Sequence, residues 1–302
     1  MANGSRKRME EFKTVDLGGR RQVSYAEYGD PRGRPLLFFH GWPSSRLQGK
    51  LVDGEAKELG YRVIAPDRPG IGETTGGGDE RFLGDWPPLV EELASALGIG
   101  GKFSVLGVSG GAPYVYACAH AIPERLEAAG ILCGAVPLAE FESTREMMLP
   151  YRVMLWARKR APWMMESALG MGRRAAYWGP RHPVMWLLYR FIPKNDRCVV
   201  GDPLVHDCVM GSYREAVKNG SEAVVADGDI YTQDWGFHPE DIQFPIHLWH
   251  GEKDRNIPAV MVREIAGRLP QCHTRWFPDE GHYSIAANRA GELLTEMAGA
   301  TV

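Results

Sequence analysis

LGVSGGAPYVY, residues 106–116, sets a serine among glycines, with an apolar run before it and a helical run after it. Gly107-Val108-Ser109-Gly110-Gly111 fits the pattern G-x-S-x-G. Its flanks, KFSVLGVS and GGAPYVYACAHAI, read as a strand and a helix with no spacer between them. A strand-to-helix turn this tight lifts the serine hydroxyl out at the edge of a sheet and strains its backbone. Bulky neighbours would clash there, which accounts for the small residues around Ser109. The N–H of Gly110 then stands at a helix N-terminus, where the dipole favours negative charge. Gly-Ser turns are common, but in this strand–turn–helix setting the pentapeptide reads as the seat of a nucleophile.

Outward from this turn, strand and helix alternate. RQVSYAEYG (21–29), PLLFFHG (35–41), YRVIAPD (61–67) and LEAAGILCGA (126–135) read as strands. PLLFFHG is apolar enough to be buried on both faces. SSRLQGKLVDGEAKELG (44–60) reads as a helix that begins at serine and stops at Gly60. FLGDWPPLVEELASALGI (82–99) holds a helix whose Pro87 and Pro88 fit only near its start. The pattern resumes with PIHLWHGEKD, AVMVREIAGRL, HTRWFPDEGH and ANRAGELLTEMAG. The alternation predicts an α/β fold, a parallel sheet covered by helices on both faces. It fails between residues 137 and 244, a stretch of short helices rich in Trp, Met, Arg and Pro. The expected organisation is a core of residues 10–136 and 245–300, a helical cap or lid insertion at 137–244, and a disordered tail at 1–9. Within the insertion, Trp156, Trp163, Trp178 and Trp186 are the candidates for lining a substrate pocket. The competing reading is that they pack the insertion on itself.

The chain has 302 residues, 44% of them hydrophobic and 24% charged, which suits a soluble globular protein. A net charge of −3 offers no electrostatic basis for binding nucleic acid. The start, MANGSRKRMEEF, has no apolar core after its basic residues, so no secretory signal is recognisable. No apolar stretch approaches the roughly 18 residues of a membrane span, and PVMWLLYRFIP is broken by Arg190 and Pro193. A cytoplasmic protein is expected. The five cysteines form no CxxC pair and are odd in number, against a disulfide framework or a cysteine zinc site. PGIGETTGGG lacks the Gly-Lys-Ser/Thr of a phosphate loop, and no histidine or carboxylate cluster has metal-ligand spacing. No cofactor and no metal are therefore expected.

A serine hydroxyl is a poor nucleophile without an adjacent base that a third group orients. His282, in PDEGHYS, follows the last strand and precedes the last helix. Of the nine histidines it alone combines this position with a preceding glycine. Asp254, in WHGEKDRNIP, follows another buried strand. It competes with Glu252, Asp279 and Glu280, and its distance past the strand and the Ile257-Pro258 that follows favour it. Loops at the C-terminal ends of parallel strands converge on one edge, so such distant residues can meet. Trp42, in FFHGWPSS, offers a second backbone N–H, which with that of Gly110 would form an oxyanion hole. His40 reads as a brace for this loop.

On HGWP at 40–43, DRPGIGET at 67–74, GVSGG at 107–111, WHGEKD at 249–254 and GHYS at 281–284, the chain resembles the capped α/β-hydrolases, in the epoxide-hydrolase-like or proline-iminopeptidase-like branch. The resemblance implies an eight-stranded, mostly parallel sheet whose second strand is antiparallel. It implies Ser109 as nucleophile, His282 as base, Asp254 as acid, and Trp42 with Gly110 as oxyanion hole. Epoxide hydrolases and haloalkane dehalogenases use an aspartate nucleophile, whose alkyl ester water opens at the carbonyl. A serine ether offers no such carbonyl, so Ser109 points to attack on an acyl carbon. The strand end near Gly134, where some dehalogenases place the acid, has no carboxylate. The leading expectation is a cofactor-free serine hydrolase of apolar carboxylic esters or lactones. One alternative is hydrolysis of a carbon–carbon bond in a diketone. A second is an iminopeptidase with an amine-binding acid in the cap, for which Glu142, Glu146, Glu166, Asp227 and Asp229 are candidates. A third is a small-molecule receptor on a hydrolase fold.

Overall fold

The computed structural model describes residues 12–76 and 82–299. The expected tail at 1–9 and part of the glycine-rich loop after the fourth strand lie outside the described residues. Eight strands, β1 (Lys13–Gly18), β2 (Arg21–Gly29), β3 (Arg34–Phe39), β4 (Tyr61–Pro66), β5 (Phe103–Val108), β6 (Leu126–Leu132), β7 (Ile246–Gly251) and β8 (Cys272–Phe277), form one sheet. Their order is β1-β2-β4-β3-β5-β6-β7-β8. β2 pairs antiparallel with both β1 and β4, and every other pairing is parallel. The predicted α/β class, the eight strands and the antiparallel second strand are all met.

Side chains alternate across the sheet, as the period of a strand requires. Leu37, Phe39, Ile64 and Val105 pack into a core with the helices Trp86–Ala96, Ala112–Ala121 and Ala259–Arg268. Their neighbours Leu36, Phe38, Val63, Ala65 and Leu106 pack into a second core with Asp53–Glu58 and His282–Gly299. Both faces of the central strands are thus buried, and so they read as unbroken apolar runs.

The stretch 44–60 departs from the expected single helix. It forms a 3-10 helix, Arg46–Val52, followed by the short α-helix Asp53–Glu58. Gly49 lies against β2 and β4: a Cβ there would come within 2.8 Å of the Tyr28 ring and 2.9 Å of the Ala65 Cβ. That close approach presses the segment onto the sheet in place of a regular helix.

β3 and β5 are neighbours, yet the chain leaves β3 for β4 on one side and returns through β5 on the other. Loops that follow such a pair diverge and leave a crevice at the strand C-termini. Trp42 follows β3 and Ser109 follows β5 at that crevice. Between β6 and β7 the chain runs through the helices Leu149–Arg160, Pro162–Ala175, Pro183–Tyr189, Lys194–Val200, Pro203–Ala216 and Glu222–Asp229. No helix among the described residues is long and apolar enough to cross a membrane.

Candidate active site

Ser109 has φ +53°, a left-handed conformation that side chains rarely adopt, between the extended Val108 and the first turn of the next helix. The glycines around it are steric requirements. A Cβ on Gly107 would lie 2.7 Å from the Gly111 carbonyl oxygen, and one on Gly111 would lie 2.1 Å from that of Phe39. A Cβ on Gly110 would lie 2.3 Å from the Tyr231 hydroxyl and 3.0 Å from the Trp42 nitrogen. The backbone at Trp42 and the backbone at Gly110 therefore close together beside the serine.

The Ser109 hydroxyl lies 2.9 Å from His282 Nε2, and His282 Nδ1 lies 2.7 Å from Asp254 Oδ2. With Nδ1–H donated to the carboxylate, the neutral ring leaves Nε2 as an acceptor for the serine proton. The other oxygen of Asp254 accepts the backbone N–H groups of Asn256 and Ile257, at 2.8 and 2.9 Å, which fixes the carboxylate. Burial alone would lower the basicity of His282. The adjacent Asp254 carboxylate outweighs it, aided by that of Asp196, and the pKa stands above the ordinary histidine value. Burial pushes Asp254 upward, but His282 and the backbone donors bring its pKa below the usual carboxylate value. Among the described residues no group of three His, Cys, Asp or Glu is placed to hold a metal ion.

Two carboxylates from the insertion reach into this site. Asp196 is almost fully buried and accepts the backbone N–H groups of His282, Tyr283 and Ser284, at 3.0, 2.9 and 2.9 Å. It thus fills the free donors at the start of the helix that carries His282. Gly281 leaves room for it, since a Cβ there would fall 2.4 Å from Asp196 Oδ2. Asp227, also buried, takes two hydrogen bonds from Arg68, both at 2.7 Å, and one from the Tyr114 hydroxyl at 2.5 Å. Arg68 in turn donates to the carbonyls of His40 and Gly41, at 2.6 and 2.8 Å, and so holds the loop that carries Trp42. The His40 ring also bonds the Gly41 carbonyl, its one partner among the described residues, so His40 and Arg68 brace this loop together.

A cavity of about 90 Å³ abuts Ser109 and His282, and its apolar wall includes Met147, Tyr151, Met154, Leu155, Met165 and Met261. Arg158 and Asp229 also line it, joined by two hydrogen bonds of 2.6 Å. A second cavity, about 240 Å³, meets the same serine and histidine from the side of Pro43, Val209, Met210 and Tyr213. The structure does not bring the four insertion tryptophans to either cavity. Trp156, Trp163 and Trp186 are more than half exposed, and Trp178 stacks on His182 with ring centroids 4.3 Å apart. On the helices that carry Trp156 and Trp163, Tyr151, Met154 and Met165 face the cavity instead.

The sequence profile of the alpha/beta hydrolase family matches residues 36–294, which span β3 to the last helix. The chain belongs to that family. This hydrolase is 28% identical over 257 residues to a bifunctional esterase/perhydrolase of Acinetobacter calcoaceticus, covering 82% of each chain. It is 30% identical over 277 residues to a non-heme haloperoxidase of Rhodococcus erythropolis, covering 88% of this chain and 91% of that one. Its fold matches the bromoperoxidase of Bacillus anthracis with a TM-score of 0.72 at 16% identity, over 96% of this chain and all of the other.

Within this hydrolase, Asp196 and Asp227 were not singled out by sequence for the places they occupy. Asp227 is one of the sequence's candidates for binding a substrate amine, but its oxygens are taken up by Arg68 and Tyr114. Asp229 is likewise bound by Arg158. One sequence signal pointed toward Arg68: it lies in DRPG directly after the buried β4, where its side chain reaches the crevice.

Proposed function

We propose that this hydrolase cleaves apolar carboxylic esters or lactones through an acyl-enzyme on Ser109. The observation that carries the reading is the unbroken line of hydrogen bonds from Ser109 Oγ through His282 to Asp254, 2.9 and 2.7 Å, at a strained strand-to-helix turn. His282 Nε2 takes the serine proton as Oγ bonds to the acyl carbon. The carbonyl oxygen becomes an oxyanion, and the backbone N–H groups of Trp42 and Gly110 receive it. Each such donor is worth about 10²–10³ in rate. The tetrahedral adduct collapses, the C–O bond to the alcohol breaks, and Nε2 returns its proton to the leaving oxygen. Water then repeats the sequence against the acyl-enzyme and releases the acid. Asp254 keeps the ring in the required tautomer and balances its charge.

Residues 137–244 act as a cap over the core formed by 10–136 and 245–300. The methionine-rich wall of the smaller cavity selects apolar groups by burying their surface, at about 25 cal/mol per Å². Since one methylene is worth about 1 kcal/mol or less in such a pocket, preference among chain lengths is graded.

Ser109→Ala tests the reading. Its kcat on p-nitrophenyl esters should fall by about 10⁶-fold, and a phosphonate ester should label the wild type at Ser109 and miss the variant. Retention of a tenth of the activity would place the nucleophile elsewhere. A second reading draws on the Acinetobacter relative, named an esterase/perhydrolase. Hydrogen peroxide in place of water would attack the same acyl-enzyme and yield a peracid. Peracid formation that needs both an ester and Ser109 would establish it.

A further inference from the structure

Residues 149–197 carry ten lysines and arginines and two acids, a net charge of +8 in a chain whose total is −3. The same stretch holds most of the exposed apolar surface. Of the sixteen large apolar side chains exposed among the described residues, twelve lie between Leu149 and Phe191. Both features share the outer faces of two packed helices, Leu149–Arg160 and Pro162–Ala175. On the first, Leu149, Arg152, Val153, Trp156, Lys159 and Arg160 are exposed at the spacing of one helix face. On the second, Trp163, Met164, Met171 and Arg174 share one face in the same way. Their inner faces supply Tyr151, Met154, Leu155 and Met165 to the smaller cavity beside Ser109. Arg152, Lys159, Arg160, Arg173 and Arg174 take part in no ion pair among the described residues.

We infer that this outer face docks on the surface of an anionic lipid membrane. Tryptophans beside arginines and lysines suit the boundary between headgroups and acyl chains, where rings enter the apolar layer and cations meet phosphates. A second copy of the chain would bring one strongly cationic face against another, which like-charge repulsion opposes. A nucleic acid would neutralise the cations and leave the apolar side chains in water. The face lies flat and does not span, in keeping with the short helices.

Flotation of the full chain with vesicles tests this. The wild type should float with phosphatidylcholine vesicles containing about a third phosphatidylglycerol, and about 1 M salt should release it. It should stay behind with phosphatidylcholine alone. Lys159→Glu, Arg160→Glu and Arg174→Glu together should lower partition about a hundredfold or more. Trp156→Ala with Trp163→Ala should lower it about tenfold. Both variants should melt as the wild type does and hydrolyse a short soluble ester at the wild-type rate. Ser109→Ala should float unchanged, so failure of the esterase reading would not touch this one. Absence of flotation on anionic vesicles, equal flotation on neutral ones, or unimpaired flotation of the charge-reversed variant would overturn the inference. So would a dimer in sedimentation velocity that the paired tryptophan substitutions dissociate.

Discussion

The sheet edge and the inserted helices contribute differently to one site. Ser109, His282, Asp254 and Trp42 each follow a strand, so the register of the sheet sets their spacing. The insertion adds no residue to the hydrogen-bonded line from serine to aspartate. Yet its Asp196 holds the start of the histidine-bearing helix, and its Asp227 holds the arginine that braces the Trp42 loop. A division in which the core does chemistry and the insertion only selects substrates is therefore too simple. The insertion also fixes where the histidine and the Trp42 loop stand.

Substitutions on either side of that comparison should differ in kind as well as size. The largest effect belongs to the core. Asp254→Asn should lower kcat about 10⁴-fold with little loss of stability, because the asparagine no longer holds the imidazole tautomer. Near-normal kcat would mean that the wrong carboxylate has been given this role. Next, Asp227→Ala leaves Arg68 buried without its carboxylate and should cost about 3–5 kcal/mol in urea unfolding. An unchanged midpoint would show that the two backbone carbonyls suffice for Arg68.

Asp196→Asn should reduce kcat by about 10²-fold or less, through displacement of His282. Its pH profile separates this from a merely structural effect. In the proposed mechanism activity requires neutral His282, so kcat/KM should rise with pH through the histidine ionisation. The Asp254 and Asp196 carboxylates place that rise above the ordinary value of about 6.5. Removing the Asp196 charge should move the rise to lower pH, and an unmoved profile would refute the electrostatic link. The smallest effects concern the insertion's two faces. Met154→Ala or Met165→Ala should change the ratio of kcat/KM between short and long esters several-fold, at roughly 1 kcal/mol per methylene or less. Trp156→Ala should leave that ratio within about twofold; a larger change would return the tryptophan to the pocket.

The same contrast explains what could be read from sequence. Residues 21–29 alternate as a strand does and form β2 over that very span, because period-two alternation leaves little freedom. Ser109, His282 and Asp254 were legible because each lies just past an apolar run, and the structure brings all three together. The insertion resisted because its helices are apolar on both sides. In Leu149–Arg160, Met154 and Leu155 face the cavity while Leu149, Val153 and Trp156 face outward, so hydrophobicity alone cannot choose the inner face. Large aromatics are the conspicuous pocket candidates in the sequence, yet the less conspicuous methionines line the cavity. Asp196 sits in KNDRC, a stretch with no motif, and its partners lie more than eighty residues later. Only the folded chain brings them together.

The fit between Asp196 and Gly281 bears on how such enzymes can be recombined. A chimaera joining this core to the inserted helices of a relative would inherit a histidine-bearing helix whose first three amides await a carboxylate from the donor. Without an acid at the matching place, those amides lose their partner and the room left by Gly281 stands vacant. Exchanging the insertion therefore alters the seating of His282, the proposed base, along with the pocket. Restoring one aspartate on the grafted segment should recover more turnover than redesigning its lining.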